Sequence, residues 1–140
     1  LAALGERTIH VDCDVLQADG GTRCASITGA WIAAALAVNH LLENDVIDTN
    51  PLKDHVAAVS VGMKDGNALL DLNYEEDSSC DADVNIVMNG AMQFVEIQGT
   101  SEGRCFDRSE LSMLLDYAQH GITELIALQK QALADQGIHY

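Results

Sequence analysis

Two short stretches of this chain carry residue types suited to handling phosphate. The first is Asp19-Gly20-Gly21-Thr22-Arg23, set between a segment of alternating character and a long apolar run. Two glycines let a backbone come close to a ligand. The first turn of a helix presents unpaired N–H groups at the positive end of its dipole, and an arginine can grip two phosphate oxygens at once. The pattern fits an anion cradle, and equally a tight strand-to-helix connection, since glycine serves strained turns in general. The second stretch is Glu75-Glu76-Asp77-Ser78-Ser79-Cys80-Asp81-Ala82-Asp83. Clustered carboxylates suit Mg²⁺, which takes one or two of them and keeps water or substrate phosphate as its other ligands. The same stretch also suits a solvated acidic loop. Together the two meet the needs of phosphoryl transfer, whose barrier falls through positioning and neutralisation of charge on the phosphorus oxygens.

Other residues offer less chemistry. His10, His40, His55, His120 and His139 are scattered without metal-ligand spacing, which favours surface or packing roles. Ser26 and Ser60 lack the Gly-x-Ser-x-Gly setting of a hydrolase nucleophile. Trp31 sits in an apolar run and reads as core. Cys13, Cys24, Cys80 and Cys105 show no Cys-x-x-Cys spacing, which argues against zinc, and Cys13 and Cys24 lie in apolar segments as small buried thiols do. A reducing cytoplasm suits such thiols.

The elements that must position the two stretches are legible. Thr8 to Val15 alternates, with Ile9, Val11, Cys13 and Val15 on one face, which predicts a half-buried strand. Thr22 to about Leu42 predicts a helix buried on most sides, with Gly29, Ala30, Ala33 and Ala34 allowing close approach. Asn50-Pro51 ends that region. Val56–Met63 and Ala68–Tyr74 read as strands joined through Asp65-Gly66; Val84–Met88 and Gln93–Ile97 read as strands joined through Asn89-Gly90, both in tight hairpins. Asp107 followed by Glu110 predicts a helix cap, and Leu111, Leu114, Leu115 and Ala118, then Ile122, Leu125, Ile126, Leu128 and Leu133, continue as one or two helices. Strand, helix, four strands and terminal helices make an α+β pattern in a single domain over residues 1–140.

Composition bounds the function. The 140 residues are 48% hydrophobic, enough for a substantial core. No signal-peptide pattern opens the chain, and its apolar runs are read as falling short of a bilayer-crossing length, which predicts a soluble protein without a membrane partner. The first residue is Leu1, and Leu1-Ala2-Ala3-Leu4 reads as the end of a helix, an expectation of truncation. With 22 acidic and 7 basic residues the net charge is −15, which opposes polyanion binding over most of the surface, so any nucleic-acid contact must be local or borrowed.

The run Asp12-Cys13-Asp14-Val15-Leu16-Gln17-Ala18-Asp19-Gly20-Gly21-Thr22-Arg23-Cys24-Ala25-Ser26-Ile27-Thr28-Gly29-Ala30 resembles ribonuclease PH. In the same order follow Ala57-Ala58-Val59-Ser60-Val61-Gly62, Glu76-Asp77-Ser78, Asp83-Val84-Asn85 and Val95-Glu96-Ile97-Gln98-Gly99-Thr100-Ser101-Glu102-Gly103, so the resemblance covers nearly the whole chain, as a C-terminal portion. It implies the α+β ribonuclease PH fold, named after a small-subunit ribosomal protein and truncated at its N-terminus. It implies a phosphorolytic exoribonuclease, a nucleotidyltransferase in which inorganic phosphate attacks the last phosphodiester at an RNA 3′ end and releases a nucleoside diphosphate. The resemblance further implies precursor transfer RNA as the substrate and a hexamer as the assembly, in the cytoplasm that the thiols suit. By the same resemblance Gly20, Gly21, Thr22 and Arg23 bind the phosphate, while Asp77 and Asp83 form the catalytic acidic pair that binds Mg²⁺ or assists proton transfer. The alternative is a catalytically inactive ring subunit of the exosome type. Cys24, Cys80 and Val84 depart from the usual pattern without altering these charges, and the portion absent by this reading would supply a further arginine and much basic surface.

Overall fold

The structure is a computed structural model and describes residues 2–139. Its frame is a four-stranded antiparallel sheet made of β1 (Val56–Lys64), β2 (Asn67–Leu70), β3 (Ala82–Asn89) and β4 (Phe94–Ser101), in the spatial order β2-β1-β3-β4. Three helices accompany it: α1 (Thr22–Glu43), the single-turn α2 (Tyr74–Asp77) and α3 (Arg108–Ala134). The α+β class expected from the sequence holds.

Register decides which side chains share a face. Residues opposite one another in an antiparallel pair point the same way. Ala57 pairs with Met88, Val59 with Ile86 and Val61 with Val84, and these meet Leu114, Ala118, Ile122 and Ile126 of α3 in the main core. The intervening pairs, Ala58–Val87, Ser60–Asn85 and Gly62–Asp83, turn to the opposite face, where Cys24 of α1 packs on Ala58 and Val87. The hydroxyl of Thr28 locks α1 to β1 by donating to the Ala58 carbonyl and accepting from the Ala58 N–H.

The cap read from Asp107 and Glu110 is present: Asp107 accepts from the Ser109 and Glu110 N–H groups, and Glu110 accepts from the Asp107 N–H. One helix follows rather than two, and its buried residues from Leu114 to Leu133 recur at helical spacing. Asp65 and Gly66 both take positive φ, as a tight two-residue hairpin requires.

Several expectations are corrected. Thr8–Val15 forms no strand and enters no ladder: it lies along α1, and a helix surface offers no backbone partners. Val11, Cys13 and Val15 line an open groove there with Ala25, Gly29, Ala30 and Ala33, so Cys13 is exposed and the small residues of α1 line a groove rather than a tight joint. Helix α1 buries one face, through Cys24, Trp31, Ala35 and Val38, rather than most sides. By length and composition it is also apolar enough to cross a membrane, contrary to the expectation that no run was. Its bonds to β1 and the Trp31 N–H donated to the Asp54 carbonyl tie it to the sheet. The strand expected over Ala68–Tyr74 stops at Leu70, because Asp71 takes a left-handed φ and Asn73 caps α2. The Asn89-Gly90 connection is a longer loop in which the Asn89 side chain accepts from the Ala91 and Gln93 N–H groups and Met92 carries the positive φ. Strand β4 runs on to Ser101. Leu1 of the expected helix end lies outside the described residues, and Ala2–Leu4 is a short 3₁₀ turn.

Candidate functional site

Helix α1 begins without a side-chain cap. Gly21 precedes it with φ 66°, a left-handed conformation natural to glycine, and a Cβ at that position would crowd the Ser60 hydroxyl at 3.0 Å. The first N–H groups of the helix therefore have no capping side chain, and an anion placed there meets them and the positive end of the dipole.

Asp19 and Gly20 bring the second stretch to this end of α1. A carboxylate oxygen of Asp19 accepts from the Gly20 N–H at 2.9 Å and from the Tyr74 N–H, the first residue of α2, at 2.6 Å. Those bonds, the Tyr74 one foremost, hold its carboxyl below the usual range. Gly20 lies against the backbone of Leu72 and Asn73, and a Cβ would run into the Leu72 carbonyl oxygen. Asn73 then caps α2, accepting from the Glu76 N–H while Glu76 accepts from the Asn73 N–H. One turn later comes Asp77. A contact spanning 55 residues of chain thus joins the glycine turn to the acidic stretch.

The result is one small cleft of about 130 Å³ lined by Gly21, Thr22, Arg23, Ser60, Asp77, Asp83 and Asn85. Of the six site residues expected from the sequence, five line it; Gly20 instead backs the turn against Leu72 and Asn73. Asp83 reaches the cleft from β3, on the face turned toward α1. Burial first, then the charges of Asp77 and Glu102, hold its carboxyl above the ordinary range. Arg23 is not free: Nη1 meets Glu96 Oε1 at 2.9 Å and Nη2 donates to Glu96 Oε2 at 3.0 Å. Glu96 keeps the guanidinium firmly charged.

Four participants were given no role in the site by the sequence reading. Asp19 joins the two stretches. Ser60 accepts from the Leu72 N–H at 3.2 Å and lines the cleft. Asn85 accepts from the Cys24 thiol at 2.9 Å, which leaves its amide donors for the cleft. Burial pushes that thiol up to about 11, so Cys24 is a donor rather than a nucleophile. Glu96 holds Arg23. Strand parity was the available signal for three of them, since Ser60, Asn85 and Glu96 share the face of Asp83.

The arrangement suits Mg²⁺ on the chemistry of its donors. Burial first and then the charge of Asp77 raise Asp83, and a cation beside the two carboxylates would offset the second of these. Among the described residues no three His, Cys, Asp or Glu side chains form a ready cage. Two carboxylates completed by water and phosphate is the usual way this cation is held.

Residues 54–121 match the family described as "3' exoribonuclease family, domain 2". Among solved structures the chain is similar to rice (Oryza sativa) Rrp46, with TM-score 0.63 and 16% identity over 83% of this chain and 49% of that one. It is similar to the Archaeoglobus fulgidus exosome with RNA bound to its active site, with TM-score 0.61 and 24% identity over 80% of this chain and 44% of that one. An archaeal exosome core gives TM-score 0.59 and 23% identity, over 83% and 46% respectively. The chain therefore spans about half the length of the solved structures it matches, and the likeness is one of fold.

Proposed function

We propose, from the premise that residues 54–121 belong to the 3′ exoribonuclease family as its domain 2, that this chain is part of a phosphorolytic 3′→5′ exoribonuclease. Inorganic phosphate sits at the N-terminus of α1, held by the Gly20–Gly21 turn, Thr22 and Arg23. One of its oxygens attacks the phosphorus of the terminal nucleotide, the bond from that phosphorus to the neighbouring 3′ oxygen breaks, and a nucleoside diphosphate departs. The shortened RNA keeps its 3′ oxygen, which takes up a proton. Within the acidic pair of Asp77 and Asp83, assisting that proton transfer and holding Mg²⁺ are alternative roles, since a carboxylate that ligates a cation is ionised. Asp77 and Asp83 would hold Mg²⁺, which when bound neutralises charge on the phosphate oxygens. The substrate is an RNA 3′ end, precursor transfer RNA by the sequence resemblance, with a cytoplasmic hexamer as the corresponding assembly.

The observation that carries this reading is the single cleft lined by Thr22, Arg23, Asp77 and Asp83, residues up to 61 positions apart (83 − 22 = 61). The test uses internally labelled RNA incubated with and without phosphate. It is run on this chain alone and on the chain joined to the further portion that the matched structures contain. Nucleoside diphosphate released only with phosphate is the expected product, little or none of it from the chain alone. Arg23→Ala in the active form should raise the phosphate requirement sharply, by on the order of the 1.5–3 kcal/mol that a hydrogen bond to a charged group contributes. Nucleoside monophosphate, or release indifferent to phosphate, would remove the assignment. A second reading, an inactive subunit of the exosome type, is favoured by the −15 charge and by the carboxylate already on Arg23; it predicts no release under either condition.

A further inference from the structure

We propose that Glu96 is a positioning residue: it holds the Arg23 guanidinium end-on so that the remaining edge is presented to the attacking phosphate. This rests on the functional reading above. The two contacts join both terminal nitrogens of Arg23 to both oxygens of one carboxylate, at 2.9 and 3.0 Å. A guanidinium has five N–H donors in one plane, so an end-on pair consumes two and leaves Nε–H and an adjacent outer N–H for a second planar partner.

Two further observations favour positioning over a chance surface pair. First, Arg23 lines the same cleft as Asp77 and Asp83, either of which would attract it. Pairing there would cancel the acidic pair and occupy the place of a cation; Glu96, on the neighbouring strand, draws the guanidinium away. Second, Glu96 stands opposite Val87 on the face of the sheet that bears Asn85 and Asp83, so its place beside α1 is fixed by strand register rather than by a loop. Both side chains are about half exposed, at 48% and 39%, so the pair itself adds little to folding stability. Its effect belongs to ligand binding, where fixing a long side chain beforehand removes an entropic cost.

The proposal opposes what charge alone predicts. Glu96 is an anion near an anion site, so deleting it would tighten phosphate binding if its charge were all that mattered. Inorganic phosphate is titrated calorimetrically, with Mg²⁺ present, into the wild type, Glu96→Ala, Glu96→Gln, Arg23→Ala and the double variant. Glu96→Ala is expected to weaken phosphate roughly two- to tenfold, the effect of freeing one long side chain. Glu96→Gln should recover part of that, since its amide oxygen still accepts one N–H. Glu96→Ala should add nothing to Arg23→Ala, and thermal unfolding should stay within a degree or two across the Glu96 variants. Equal or tighter binding in Glu96→Ala overturns the positioning role and leaves the site standing, as would a further loss in the double variant. Absence of phosphate binding by the wild type, or no effect of Arg23→Ala, overturns the phosphate site itself and this inference with it.

Discussion

Along β1, Val59, Val61 and Met63 point toward α3, while Ser60 between them faces the cleft at the N-terminal end of α1. The same alternation on β3 sends Val84, Ile86 and Met88 one way and Asp83, Asn85 and Val87 the other. On the α3 face nearly every partner is apolar and fully buried. On the α1 face Cys24, Ala58 and Val87 form one dry cluster and Trp31, Ala35 and Leu133 another, and toward the start of the helix the surface becomes Ser60, Asn85, Asp83 and Glu96. One sheet thus separates stability from chemistry by residue parity. Core burial on one side supplies the stability that lets the other keep two carboxylates close together, an arrangement that costs free energy in the folded state.

The largest effect should come from the dry face. Ile122 is fully buried among Val59, Ile86 and the rest of the main cluster. Ile122→Ala should reduce unfolding free energy by about 2–5 kcal/mol, the range for large-to-small changes in a packed core. Denaturant titration measures it, and phosphate affinity of the fraction that stays folded should not move. A loss under about 1 kcal/mol would mean that this face does not carry the stability assigned to it.

The wet face should answer in the opposite direction. Burial and the charge of Asp77 raise the carboxyl of Asp83 in the folded protein. The native state therefore binds this proton more tightly than the unfolded chain does. Its contribution to stability is complete below the unfolded value, near 3.8, and is lost as pH rises through the folded value. At neutral pH the ionised group is a net strain on the fold. Asp83→Asn should leave the melting temperature at pH 7 unchanged or raise it, while phosphate-dependent release from RNA disappears. A fall in melting temperature comparable to that of Ile122→Ala would erase the distinction between the faces.

Much of this division was open to sequence reading, and what was not has physical reasons. The hairpin at Asp65-Gly66 and the cap at Asp107 are local, set by residues within four positions of each other, and both were legible. The glycine turn and the acidic stretch were legible as residue types. Phosphoryl-transfer chemistry asked for their convergence, but the means of it was not legible, because it rests on Asp19 reaching the Tyr74 N–H and on Gly20 fitting the Leu72–Asn73 backbone. The part played by Glu96 depends on the register of β4 against β3, which a single sequence leaves open. Thr8–Val15 misled because alternation records which side chains want burial and says nothing of whether a neighbouring backbone exists.

The smallest effect should come from a buried polar pair set where α1 and α3 meet. His55 is 5% exposed and stacks on Trp31 with ring centroids 4.1 Å apart. The Gln129 amide nitrogen donates to the carbonyls of Thr28 and Val56, which leaves its oxygen as the acceptor facing His55 Nδ1 at 3.2 Å. Nδ1 must then carry the proton, and Nε2 is a buried acceptor without a hydrogen-bond partner among the described residues. Burial first, with Lys130 adding to it, lowers the affinity of His55 for a second proton. The unfolded chain accordingly takes up that proton more readily. Stability is complete above the unfolded value near 6.5 and declines as pH falls from there toward the lowered folded value. Urea titrations between pH 8 and 5 should show a plateau and then a shallow decline, in a range where most carboxylates are still ionised. His55→Phe keeps a ring against Trp31 and cannot titrate, so its stability should be lower throughout and flatter across that window. An equally steep decline in the variant would mean that the proton is taken up elsewhere, and that His55 is not the titrating group.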